Sequence, residues 1–236
     1  MKLSVCSIFD SIDGEYNAFK GAGQLSTFIR LQGCNLRCTY CDTEQAQERA
    51  SINKMEIDDI LSHVNCSKVT ITGGEPLLQK EGVIELCKRL TAKDIKVTIE
   101  TNGSIAFGDD FQDLMEDDVR FVVDYKLTSS GENESMAKDM FADDLYEEDV
   151  IKFVIGSRDD YEEACKLVCA NLFGWTAQIV FSPMLYKNNK TIEEHYDMAI
   201  AQDIVKWMLE DELNDVIFSL QIHKMIWWNK PIEEEY

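Results

Sequence analysis

The pattern of polar and apolar positions along this chain switches repeatedly between two periods. Thr27 to Leu31 is short, alternating and β-branched, which predicts a strand. Lys68 to Thr72, Ile95 to Thr101, Arg120 to Leu127, Val150 to Ile155 and Ala177 to Phe181 read the same way, and Val216 to Ile222 is the last such run. Between them the period lengthens to that of a helix. Ile57, Ile60, Leu61 and Val64 share a face, behind a capping-box-like pair of Asn53 and Glu56. Val83, Leu86, Cys87 and Leu90 form a second stripe. Tyr161, Ala164, Cys165, Val168, Cys169 and Leu172 form a third. Thr191 and Glu194 box the start of a helix that continues to Leu209.

Strands alternating with helices predict parallel β joined by crossovers. About six or seven strands are visible, short of the eight in a closed barrel. The predicted fold is therefore α/β, a partial, open (trimmed) TIM-like barrel, in a single domain over 1–236. Two segments interrupt the alternation, 108–118 and 131–149. Both are rich in Asp and Glu and read as solvated loops or excursion helices on the rim. The polar motifs sit where strands end, the edge on which parallel α/β folds build their sites.

Composition narrows the class. The chain has 236 residues, 44 acidic and 23 basic, for a net charge of −21. With 45% hydrophobic residues it has the makings of a core, so global disorder is excluded. Such acidity argues against direct binding to a nucleic-acid backbone. No stretch approaches the roughly 20 apolar residues of a membrane span. Met1 to Asp13 carries no basic region followed by an apolar run, so no secretory leader is read there. The expected location is the cytoplasm, where eight cysteines do not make a disulfide framework.

Three of those cysteines stand close together, in Cys34-Asn-Leu-Arg-Cys38-Thr-Tyr40-Cys41. Thiolates at this spacing can wrap one corner of a 4Fe–4S cubane and leave the fourth iron open for a substrate or cofactor. A structural zinc site prefers four closed ligands. No fourth Cys or His lies nearby, so a zinc module completed from afar is the bland alternative. The other five cysteines, Cys6, Cys66, Cys87, Cys165 and Cys169, read as core.

The three-cysteine spacing, the aromatic Tyr40 before the last cysteine, and Gly73-Gly74-Glu75-Pro76 after the next strand resemble the radical S-adenosylmethionine superfamily. The resemblance implies a 4Fe–4S cluster on Cys34, Cys38 and Cys41, with S-adenosylmethionine chelating the open iron. It implies that Gly73, Gly74 and Glu75 receive the cofactor's amino group, through close backbone approach and a carboxylate facing an ammonium. One electron then cleaves the sulfonium, and the resulting 5′-deoxyadenosyl radical abstracts hydrogen. No protein side chain is assigned as catalytic, because the radical forms on the cofactor.

More residues sharpen the likeness. Phe9 to Glu15, Phe28 to Thr43, Glu100-Thr101-Asn102-Gly103 and Leu220 to Lys224 look like the 7-carboxy-7-deazaguanine synthase family. That resemblance implies ring contraction of 6-carboxy-5,6,7,8-tetrahydropterin to 7-carboxy-7-deazaguanine with release of ammonia. It also implies Mg2+ at Thr43, a homodimer, and an external reductant such as flavodoxin or ferredoxin. Ile12, Asp13, Gly14, Glu15, Arg30, Thr101, Gly103, Gln178 and His223 are the implied substrate residues. Glu15 would read the guanidine-like edge and Arg30 the carboxylate. Tyr40, Asn102, Asp124, Lys126, Ser129 and Ser130 join the implied cofactor residues, with a buried Asp124–Lys126 pair as the competing reading. His223 is placed at the end of the last strand, with Gln221 a weaker candidate. The site is expected to be locally basic through Arg30, Lys126, His223 and magnesium. Asp13, Tyr16 and the Asn17 to Gln24 loop depart from the commoner family pattern, and the acidic tail, Ile232 to Tyr236, has no assigned role. A glycyl-radical-enzyme activating enzyme, which would share the cysteines and the Gly-Gly-Glu-Pro motif, is the alternative within this chemistry.

Overall fold

The computed structural model describes residues 1–17, 19, 21–48, 53–111, 114, 118–170, 176–184 and 198–227. Nine strands form one sheet. They are β1 (Lys2–Asp13), β2 (Gln24–Leu31), β3 (Lys54–Glu56), β4 (Lys68–Gly73), β5 (Lys96–Thr101), β6 (Val119–Tyr125), β7 (Val150–Ile155), β8 (Gln178–Pro183) and β9 (Ile217–Phe218). The order is β3-β1-β2-β4-β5-β6-β7-β8-β9, and every neighbouring pair from β2 to β9 is parallel. β1 runs antiparallel between β2 and β3. The sheet is thus mostly parallel and open.

Six helices are described: α1 (Ile57–Leu61), α2 (Lys80–Thr91), α3 (Lys138–Asp143), α4 (Arg158–Ala170), α5 (Ala199–Glu210) and α6 (Ile222–Ile226). α2 buries Val83, Leu86, Cys87 and Leu90, the stripe its spacing predicts. The strands alternate cleanly. Val69, Ile71, Val97, Ile99, Phe121, Val123, Ile151, Phe153 and Phe181 are fully buried in the main core. The intervening positions turn the other way, and there the side chains are Thr72, Glu100, Asp124, Lys152 and Ser182, which line a cleft. A separate knot of Val122, Val150 and Val180 lies on that inner face, with Tyr16 and Ile217 packed on it.

Five sequence readings change. Phe9 to Glu15 does not precede the first strand; most of it is the end of β1, whose alternation is hidden by its polar outer face. Asn53 does not cap α1, because residues 54–56 pair with β1 as β3 and the cap residue is Glu56. Leu220 to Ile222 is not strand; β9 is two residues long and His223 sits in the first turn of α6. The acidic excursions are not simply solvated. Phe107, Phe111 and Leu114 from around the first, and Met136, Met140, Phe141 and Leu145 from the second, are buried in the core. Cys87 alone of the five remaining cysteines is buried, and Cys169 is exposed. The Thr191–Glu194 box, Leu172 and the Ile232 to Tyr236 tail lie outside the described residues.

Candidate active site

The inner face of the sheet opens into a cleft of about 510 Å3. Its mouth is built by the cysteine loop after β2, which the ends of β5 and β6 hold in place. Thr39 donates through its backbone N to Ser130 O (3.0 Å) and through Oγ1 to Ser129 O (2.8 Å). Arg37 N donates to Glu132 Oε1 at 2.6 Å. Asn102 Nδ2 donates to Asn35 Oδ1 (3.2 Å) and lies 3.6 Å from Cys34 Sγ. Cys34, Cys38 and Cys41 all line the cleft. Burial, beside Asp124 and the other thiols, pushes the Cys38 thiol up to about 11.

Gly73 and Gly74 bring the β4 loop against the cysteine loop. A Cβ on Gly73 would lie 2.1 Å from Leu31 O, and one on Gly74 would lie 2.1 Å from Gly33 O. Gly73 also has φ +135°, which L side chains rarely adopt. Glu75 departs from the expected role. It is fully buried, and its carboxylate accepts from Leu77 N, Thr101 Oγ1 (both 2.8 Å) and Asn102 N (2.7 Å). It ties two strand ends together instead of presenting a free carboxylate to an ammonium. Burial holds its carboxyl up at about 6 despite those three donors.

At the bottom of the cleft lies Glu15. Lys152 Nζ pairs with its Oε2, and Gln221 Nε2 donates to its Oε1. Burial works against its charge, but Lys152 and His223 more than offset this and hold the carboxyl below its usual range. Lys152 also pairs with Asp124 Oδ1 at 3.0 Å, and Asp124 Oδ2 pairs with Lys126 Nζ at 2.6 Å. The competing Asp124–Lys126 pair is therefore present, and both residues line the cleft. Tyr40 lies close by, with the Lys126 ammonium 5.9 Å from its ring centroid. The Tyr40 hydroxyl is buried with no hydrogen-bond partner among the described residues, and burial pushes it up to about 12.

Arg30 points inward. Its Nη1 reaches Thr43 Oγ1 at 3.3 Å, and its guanidinium stands 5.6 Å from the Phe9 ring centroid. Thr43 Oγ1 donates to Asp42 Oδ1 (2.9 Å), and Asp42 Oδ2 pairs with Lys224 (2.6 Å). Gly14 packs so tightly on α6 that a Cβ there would lie 2.2 Å from His223 Nδ1. Burial pushes the His223 imidazole down to about 4. It is thus neutral near pH 7, and each of Lys126, Lys152 and Lys224 has a carboxylate. The expectation of a locally basic site gives way to a nearly balanced one.

Several expected residues lie elsewhere. Gln178 starts β8, the far end from the cysteines; its Oε1 accepts from Tyr16 Oη and its Nε2 donates to Glu147 O. Asp13 contributes to the cleft wall, but its carboxylate is turned into a buried pair with Lys68. Gly103, Ser129 and Ser130 do not line the cleft: Gly103 O accepts from Ala137 N, and the two serines brace the cysteine loop through their carbonyls. Ile12, Gly14, Thr101 and Asn102 do line the cleft. Sequence reading gave no site role to Lys152, Glu100, Asp42 or Lys224, although the last three stand in motifs that carry the family likeness. Lys152 and Glu100 carried a signal, a charged residue inside an otherwise apolar strand.

Residues 28–199 match the Radical SAM superfamily. An open parallel sheet with a three-cysteine loop at its carboxyl edge thus defines a radical S-adenosylmethionine protein. The 7-carboxy-7-deazaguanine synthase of Clostridium acetobutylicum is 37% identical over 232 residues, covering 96% of this chain and 97% of that one. The synthase of Koribacter versatilis is 36% identical over 231 residues, covering 95% and 97%. This chain belongs to the 7-carboxy-7-deazaguanine synthase family. The crystal structure of QueE from Escherichia coli shares the fold, with a TM-score of 0.68 over 93% of this chain and 94% of that one at 20% identity. These relatives turn the reading away from the activating-enzyme and zinc-module alternatives.

Superfamily membership implies a 4Fe–4S cluster and S-adenosylmethionine. The residues present fit them. Three thiols face one cleft, and the orphaned Tyr40 hydroxyl and the Asp124–Lys126 pair stand beside them. Among the described residues, no three His, Cys, Asp or Glu side chains are gathered about one point. A cubane does not ask for that, since each thiolate takes a different iron. Also among the described residues, no helix is long and apolar enough to cross a membrane.

Proposed function

We propose that this protein converts 6-carboxy-5,6,7,8-tetrahydropterin into 7-carboxy-7-deazaguanine and ammonia, a step toward queuosine-type 7-deazapurines. The observation that carries this reading is near-full-length identity to synthases of that name. The cleft supports it. An ionised Glu15 at the bottom suits two parallel N–H donors of a pterin, and Arg30 higher on the wall suits a carboxylate. When bound, the cluster and S-adenosylmethionine would supply hydrogen abstraction and its return. Cys34, Cys38 and Cys41 would hold the cluster. Gly73, Gly74, Tyr40, Asn102, Asp124 and Lys126 would border the cofactor, with Glu75, Ser129 and Ser130 bracing that wall. Ile12, Gly14, Glu15, Arg30, Thr101 and His223 would face the substrate.

Magnesium belongs to the proposal. The Thr43 hydroxyl and the adjoining Asp42 carboxylate are hard oxygen donors, and magnesium completes its shell with water and substrate oxygens. A single domain spanning 1–236, a homodimer, an external reductant such as flavodoxin or ferredoxin, and a cytoplasmic location complete the reading. The test is anaerobic reconstitution with iron and sulfide. Carboxytetrahydropterin, S-adenosylmethionine, magnesium and a reductant are then supplied, and the product is read by ultraviolet absorption and mass. A deazapurine lighter than the substrate by one ammonia is expected. It should vanish in Cys38→Ala together with labile sulfide. No conversion by a fully loaded chain, or full activity in Cys38→Ala, overturns the assignment.

A further inference from the structure

The carboxylates of the cleft are unevenly paired with its cations. Glu15 is paired with Lys152, Asp124 with Lys126 and Lys152, and Asp42 with Lys224. Asp13 at the wall is paired with Lys68. Glu100 is the exception, with no ion pair among the described residues. It sits on β5 opposite Val122 of β6, points to the inner face, and lines the cleft with its neighbour Thr72. Two carboxylates, Glu15 and Asp13, face it from the end of β1. Lys152 faces it from β7, but that ammonium is already shared between Glu15 and Asp124. A carboxyl so placed holds its proton more tightly than a free one. Burial first, then the Glu15 charge, raise it, and Lys152 only partly opposes them, leaving it at about 7.

We propose that Glu100 is the proton-transfer residue for the ammonia-releasing half of the reaction. This rests on the synthase reading above. Substrate and product differ by one ammonia, so once the ring has contracted, one C–N bond and one C–H bond must break. The C–N electron pair leaves with the amino nitrogen, which gains a proton and departs as ammonia. The C–H electron pair becomes the new ring π bond, and its proton must be accepted. The Glu100 carboxylic acid gives the first proton. The carboxylate thereby formed takes the second, returning Glu100 to its starting state. The step is redox-neutral and needs no further reagent. An acid poised near the working pH is suited to both transfers.

The test uses the cluster-loaded protein and Glu100→Gln, a neutral isostere of the protonated acid. Carboxytetrahydropterin is mixed with cofactor and reductant, quenched at intervals, and separated by mass. The unsubstituted chain should give the product lighter by one ammonia. Glu100→Gln should still consume substrate but build up a ring-contracted isomer of unchanged mass, with ammonia release slowed about 10²–10⁴-fold, the usual worth of a placed acid or base. Release at the unsubstituted rate overturns the inference, and so does Glu100→Gln that binds substrate but consumes none. If the variant does not fold, the unsubstituted chain carries the test. At about pH 9, two units above the carboxyl's pKa, the isomer should accumulate transiently, and its absence overturns the inference. Failure of the unsubstituted chain to make any deazapurine instead marks failure of the synthase reading.

Discussion

Glu15 and His223 show how burial acts oppositely on two neighbouring groups. The Glu15 carboxylate is kept ionised against the pull of burial by its pairing with Lys152, while desolvation keeps the nearby His223 imidazole neutral near pH 7. Glu15→Gln keeps the shape and removes the charge. It should raise the substrate KM by roughly 10- to 100-fold, as expected for a lost charge-assisted bond worth about 1.5–3 kcal/mol. Iron content should be unchanged, and loss of the cluster would show that Glu15 serves the cysteine loop instead. His223 makes a prediction about acid. Its folded pKa, about 4, lies below the unfolded value of 6.5. Between those values the unfolded chain binds the extra proton, so stability falls as pH drops through that window. The loss is at most about 3 kcal/mol. Urea unfolding of the cluster-free chain at both ends of the window should show a smaller drop in His223→Gln. An equal drop in both proteins would assign the acid sensitivity to other groups.

The elements show what is legible in a sequence and what is not. The parallel strands were readable because their helix-facing positions are all apolar, as in β4 and β7. β1 was not, because its alternation mixes half-buried and exposed positions, and its hydrogen-bonding partners lie in β2 and β3. The α1 cap failed for a related reason, since pairing with β1 claims residues 54–56 first. In the site, the loop motifs announced themselves by spacing. Glu100 and Lys152 are single charges inside strands, and only the closing of the inner face reveals that they meet the same cleft. Glu75 was legible as a motif but not in its role, because its three donors come from its own turn and from β5. The β4 loop yields a prediction at this scale. A methyl on Gly74 would press on Gly33 O at 2.1 Å and Ala46 O at 2.6 Å. Both are backbone, so the cysteine loop itself must move. Gly74→Ala should cost about 1–3 kcal/mol, as overpacking does. It should also lower iron bound per chain after reconstitution, and normal iron loading would show that the two loops separate freely.

Across the whole molecule, the charge of −21 does not reside in the cleft. There, Arg30, Lys126, Lys152 and Lys224 face the ionised Glu15, Asp42 and Asp124, and Glu100, held up at about 7, is only partly ionised near pH 7. An approaching carboxytetrahydropterin, itself anionic, therefore meets repulsion from the molecule at large before any local attraction. The range of that repulsion is set by salt, about 30 Å at 0.01 M and about 10 Å at 0.1 M. On the proposed placement the bound substrate's carboxylate would stand beside Arg30, where screening acts much less. The two contributions thus separate by distance. Raising ionic strength removes the long-range penalty and spares most of the short-range gain. Under conditions where substrate capture limits turnover, kcat/KM should rise about two- to fivefold from 0.01 to 0.3 M salt. Enzymes that steer anions with a basic funnel lose capture rate under the same change. The measurement is a salt series on kcat/KM, with kcat followed as the control for the chemical steps. A fall in kcat/KM at constant kcat would mean that Arg30 and the cleft lysines govern approach from a distance, and that the acidic surface lies too far from the mouth to matter.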